Sequence, residues 1–156
     1  MIHDHAHAVQ LIAMFTWALY NVVVYLAYGW LKSVSASFYS EGNLGFIFTL
    51  TLLLVAVLTV VSFPTALMFM SGTLLCLTAI ASDNKEKQAG VVHIVGATGS
   101  MVLGFAALIT YGGLIYIIPA AITGIFFVWS NKNIQNPIYW TEQVGFYAIM
   151  VSLLTT

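Results

Sequence analysis

The groups of this chain best placed for chemistry are an imidazole at position 93 and a carboxylate at position 142, each inside a long apolar stretch where an ionisable side chain is costly unless it is paired or faces water. His93 leads a row, His93, Gly96, Ala97, Ser100 and Gly104, whose three- and four-residue spacing puts it on one helical face. The small members Gly96, Ser100 and Gly104 form the pattern by which two membrane helices approach closely, so the face reads first as helix packing. An imidazole at the end of such a face can ligate a metal, shuttle a proton or hydrogen-bond a neighbouring helix, and the last is the plainest use. Glu142 lies about a turn and a half past Pro137. It reads either as a functional group or as a carboxylate that reaches the headgroups, pairs with Lys132 and gains from the positive end of its own helix.

Other residues carry weaker signals. His3-x-His5-x-His7 with Asp4 has the donor types for zinc or copper, but alternating donors on a terminal tail lack a second shell to fix them. Asp83-x-x-Glu86 fits a capping box, and Asn136 before Pro137 fits an N-cap followed by proline at the first helical position. Ser33, Ser35 and Ser37 are not set in a G-x-S-x-G or S-x-x-K pattern that would supply a base, so they read as loop serines. Gln10, Trp17 and Asn21 are the polar or amphipathic residues of the first apolar stretch, and Asn21 is expected to hydrogen-bond another helix. Pro119 is placed to kink its stretch. The single cysteine, Cys76, permits no internal disulfide.

The elements that must position these groups follow from composition. Of 156 residues, 61% are hydrophobic and 6% charged, which no water-exposed surface of this size could carry, so lipid is the solvent. A bilayer-crossing helix needs roughly 20 apolar residues. The sequence divides into six such stretches, at about 8–31, 44–61, 64–81, 90–110, 114–130 and 137–155, within one transmembrane domain covering 1–156. The fold expected is therefore all-α, a polytopic integral membrane six-helix bundle. Its first stretch lacks the basic flank and cleavage site of a secretory signal and is expected to be retained.

Lys32, Lys85, Lys87 and Lys132 all fall in the first, third and fifth connections. The positive-inside bias puts those connections in the cytoplasm and both termini on the non-cytoplasmic side, in a bacterial inner membrane or its equivalent. Trp30, Trp129, Tyr139 and Trp140 then form a cytoplasmic aromatic belt, with Tyr111 and Tyr116 in the outer one. With no arginine and a net charge of −1, the chain offers no footprint for nucleic acid.

The segments SVSASFYSEGNLGFIFTLTLLL, HIVGATGSMVLGFAAL and YWTEQVGFYAIM resemble small six-span membrane proteins of bacteria and phages. Through them the chain resembles the DRAM/Sfk-type family and, more remotely, the CREST superfamily of alkaline ceramidases and adiponectin receptors. The resemblance implies a six-helix bundle with a polar cluster on the cytoplasmic side. In hydrolytic CREST members a serine, an aspartate and three histidines hold a catalytic zinc, which transfers here onto Ser35 or Ser37, Asp83 and His93. The chain departs from that pattern in having one histidine within its spans, so a divalent metal such as zinc would need His93, Asp83 and Glu142 as its ligands.

Short loops, a small-residue packing face and few ionisable groups within the bilayer favour assembly over catalysis. The function expected is an accessory or scaffold subunit of a larger membrane assembly, with membrane lipids and other subunits or further copies of itself as partners. The alternatives are a metal-dependent hydrolase of lipid-like substrates, using Ser35, Ser37, Asp83, His93 and Glu142, and a small-solute or proton-coupled transporter with a path past Asn21, His93 and Glu142.

Overall fold

Where no water is available to the backbone, an apolar stretch satisfies its own amides by forming a helix, and the described apolar stretches of this chain do so. A computed structural model describes residues 2–34, 44–81, 87–110 and 117–154, with the side chains of residues 2–4, 44 and 87–90 outside the description. Among the described residues there are six helices and no strand: α1 (Ile2–Tyr28), α2 (Leu44–Ser62), α3 (Ala66–Ala81), α4 (Lys87–Thr110), α5 (Ile117–Ser130) and α6 (Pro137–Leu153). The segments His5–Tyr28, Gly45–Ser62 and Val91–Thr110 are long and apolar enough to cross a membrane. The described parts of α3 and α5, 16 and 14 residues, span about 24 and 21 Å at about 1.5 Å per residue.

Helix ends depart from the sequence expectation for local reasons. α1 starts at Ile2 and stops at Tyr28, three residues before the expected end, because Gly29 adopts a left-handed conformation (φ 70°) and returns its N–H to the Tyr25 carbonyl at 2.8 Å. Pro64 is not the first residue of α3: the Thr65 hydroxyl accepts the Met68 N–H at 3.2 Å, which makes Thr65 the N-cap and starts the helix at Ala66. Asn136 does not cap α6 with its side chain. It sits at φ 58°, ψ 59° and donates its amide to the Trp30 carbonyl at 3.3 Å, tying the start of α6 to the end of α1, while Pro137 keeps the expected first helical position.

Five helices close a circuit: α1 packs on α2, α2 on α3, α3 on α4, α4 on α6, and α6 back on α1. Inside it lies a core of Trp17, Tyr20, Phe48, Leu52, Val55 and Leu75. The outer face carries the apolar side chains that a soluble protein would bury, including Phe15, Leu26, Phe46, Phe69 and Ile94. α5 stands outside the circuit, packed on α6, and buries only Ala121 and Val128.

Candidate functional site

α1 and α6 run antiparallel, and polar side chains tie them to each other, to α2 and to the segment after α1 at three places. At the first, fully buried Gln10 donates from Nε2 to the Met150 carbonyl at 3.2 Å and accepts the Ser62 hydroxyl of α2 at 2.8 Å. At the second, Trp17 Nε1–H donates to Gln143 Oε1 at 3.0 Å, and Gln143 Nε2 donates to Asn21 Oδ1. The same Asn21 oxygen accepts the Tyr139 hydroxyl at 3.0 Å, and its amide nitrogen donates to the Trp17 carbonyl at 2.8 Å. At the third, Glu142 Oε2 accepts the Val34 N–H at 2.6 Å.

Two expectations are narrowed here. Glu142, for which the sequence left open a functional role, the headgroups or Lys132, accepts a backbone N–H of the segment following α1. Tyr139 keeps ring contacts with Trp30 and Trp140 at 5.8 and 5.5 Å but is only 4% exposed, because Asn21 offers its hydroxyl an acceptor inside the bundle. Trp30, Trp129 and Trp140 remain at that end. Trp30 stacks within 4.9 Å of Trp140 and 4.5 Å of Tyr25, and Trp129 donates to Thr141 Oγ1 at 2.9 Å.

On the opposite side of the circuit, α4 meets α3 through its small-residue face. Ser71 donates to the Ser100 carbonyl at 2.7 Å. A methyl built on Gly96 would come within 2.5 Å of Thr78 Oγ1, and one on Gly104 within 2.9 Å of Ile149 Cδ1. His93 continues this face: its Nδ1 lies 3.2 Å from the Thr78 carbonyl, which can only accept, so Nδ1 carries the proton.

His93 and Glu142 line one interior cavity, together with Trp17, Thr78, Val34 and Phe146. Its volume is about 30 Å³, the share of a single water molecule. A second cavity of the same size lies between Ser71, Ser100 and Met150. Ser35, Ser37 and Asp83 lie outside the described residues, so the hydrolase cluster is represented by His93 and Glu142 alone. Among the described residues no three His, Cys, Asp or Glu side chains are grouped closely enough to hold a metal. His5 and His7 both lie on α1, two positions apart and therefore about 200° apart around the helix; position 3 belongs to the same helix, its side chain outside the description.

Gln143 was not singled out from the sequence, although it bonds both Trp17 and Asn21. The available signal was its place one residue after Glu142 and four after Tyr139, which puts Tyr139 and Gln143 on one face of α6. Every buried side-chain nitrogen and oxygen among the described residues has a hydrogen-bond partner. These bonds join helices, and parting α1 from α6 would break several of them. Neither a family model, nor a curated protein, nor a solved structure matches the chain.

Proposed function

We propose that this chain is a six-span integral membrane protein of a bacterial inner membrane or its equivalent, with both termini on the non-cytoplasmic side, and that it works as an accessory or scaffold subunit of a larger membrane assembly. The observation that carries the reading is the contrast between a five-helix circuit whose buried polar side chains are hydrogen-bonded and a helix left outside it. α5 turns Ile122, Phe126, Phe127 and Trp129 outward, with Phe126 73% exposed. A helix packed mainly on α6, with an aromatic outer face, suits contact with another membrane helix. Support for six spans comes from the alternation of helix directions, which puts Lys32 and Lys132 at the same end as Trp30 and Trp140.

Mild detergent extraction from the native host followed by native mass spectrometry tests this. The expected result is an assembly with other subunits or further copies, free of stoichiometric metal. A bare monomer carrying one metal ion overturns it. For the topology, Cys76→Ser combined with Lys132→Cys should react with an impermeant thiol reagent from the cytoplasmic side only.

A second reading draws on the cavity shared by His93 and Glu142. A metal-dependent hydrolase of the CREST kind would need Asp83 and a loop serine to join them, and a proton-coupled transporter would need the cavity to open to both sides. Bound metal lost on His93→Ala supports the first; pH-dependent flux in liposomes lost on Glu142→Gln supports the second.

A further inference from the structure

A cleft of about 590 Å³ lies where the end of α1 meets the turn between α5 and α6. One wall is aromatic: Trp30, Trp140 and Phe127. The other is the turn, whose Asn133, Ile134 and Gln135 line the cleft. Both walls are fixed. Trp30 is clasped between Tyr25 at 4.5 Å and Trp140 at 4.9 Å, and Asn131 accepts the N–H of Asn133 through its side chain and that of Ile134 through its carbonyl, both at 3.0 Å.

Among the described residues the charge beside the cleft is positive. Lys132, one residue before Asn133 in the turn, is exposed, as is Lys32, two residues after Trp30. Among the described side chains the one carboxylate is Glu142, and it is turned inward onto the Val34 N–H. Alongside the cleft, α5 presents exposed Phe126 and Phe127 to the surroundings. We propose that this cleft binds an anionic phospholipid of the surrounding bilayer. Its phosphate sits at Lys132 and the Asn133 and Gln135 amides, its glycerol region lies between Trp30 and Trp140, and its acyl chains run along the outer face of α5. The volume falls in the range of small-molecule pockets, and a tryptophan-lined, lysine-flanked recess at a helix end is the environment of the headgroup layer. The site rests on the membrane reading above, and not on the scaffold role.

The full chain in mild detergent, exposed to equal amounts of phosphatidylglycerol and phosphatidylcholine and examined by native mass spectrometry, tests the site. One phosphatidylglycerol per chain should be retained with about a five-fold preference, the effect of one lysine facing an anionic headgroup. Lys132→Gln, a surface change that leaves the bundle packing intact, should bring the two lipids near parity, and Trp140→Leu should lower retention of both. Equal retention by the wild type, or an undiminished preference in Lys132→Gln, overturns the proposal. So does displacement by excess inorganic phosphate, which would identify a soluble anion as the occupant. Resistance of the native protein to alkaline extraction from its membrane is read separately, so a failed lipid site and a failed membrane reading are told apart.

Discussion

Across the α1–α6 seam the helices are joined by long polar side chains, Gln10, Trp17, Asn21, Tyr139 and Gln143, each reaching a partner on the other helix or on α2. Across the α3–α4 seam they meet through Gly96, Ser100 and Gly104 against Ser71, Leu74 and Thr78, with little side chain between the backbones. Lipid supplies no hydrophobic drive to bring helices together, so each seam needs its own source of cohesion. The first uses hydrogen bonds between groups that would otherwise sit unpaired in an apolar medium. The second uses dispersion at close approach, and its hydroxyls and imidazole bond mainly to carbonyls exposed by that approach. One seam therefore depends on the identity of its polar atoms and the other on the absence of atoms.

The largest effect should come from adding volume to the second seam. In Gly96→Val the new Cβ meets Thr78 Oγ1 at 2.5 Å and the Leu74 carbonyl oxygen at 3.1 Å, and the latter is backbone that cannot turn aside. The helices must separate, at a cost of about 3 kcal/mol, to be measured by reversible unfolding in mixed micelles. A cost near zero would mean that α4 slides on α3, and the distinction between the seams would fall.

A smaller effect should come from the first seam. Gln143→Leu keeps the volume but strips the acceptor from Trp17 Nε1–H and the donor from Asn21 Oδ1. The expected loss is about 2 kcal/mol in the same unfolding assay, since the buried Trp17 N–H loses its acceptor while Asn21 Oδ1 keeps the Tyr139 hydroxyl. Trp17→Phe in the Gln143→Leu background should then cost less than it does in the wild type, by a coupling of about 1 kcal/mol. Additive losses would show that Trp17 acts by filling space, as its contact with Phe146 at a ring separation of 4.6 Å also allows, and that the hydrogen-bond description of the seam fails.

The two seams differ as well in how far the sequence reveals them. The face Gly96, Ser100, Gly104 is legible because helical spacing alone says which residues share a side, and any closely packed neighbour satisfies it. Asn21 is legible as a residue needing a partner, but the partner lies more than a hundred positions away, and nothing local pairs α1 with α6. Tyr139 illustrates the same gap: near a helix end a tyrosine belongs in the interfacial belt unless something inside competes for its hydroxyl, and here Asn21 does. Glu142 invites a search for a cation, yet a backbone N–H served, and backbone donors leave no mark in a sequence. Six helical stretches were readable from apolar length, whereas the exclusion of α5 from the five-helix circuit was not, because its composition is as apolar as that of the helices it is left outside.

Ser71→Ala should produce the smallest change and sharpen the comparison most. Ser71 is 6% exposed and donates to the Ser100 carbonyl, with the Ser100 hydroxyl 3.2 Å away, so it is the place where the small-residue seam also carries a hydrogen bond. Alanine removes that bond without adding volume. The Ser100 carbonyl keeps its position within α4, and its hydroxyl can turn elsewhere, so the loss should be about 0.6 kcal/mol, the average of hydrogen bonds between membrane helices. Ser71→Val adds volume at the same point, close to where a Cβ on Gly104 would stand 3.4 Å from the serine oxygen, and should cost about 1–3 kcal/mol. Valine worse than alanine places this seam under the rule of size. Alanine as costly as valine would mean that the hydroxyl holds α3 to α4, and the two seams would then work by the same chemistry.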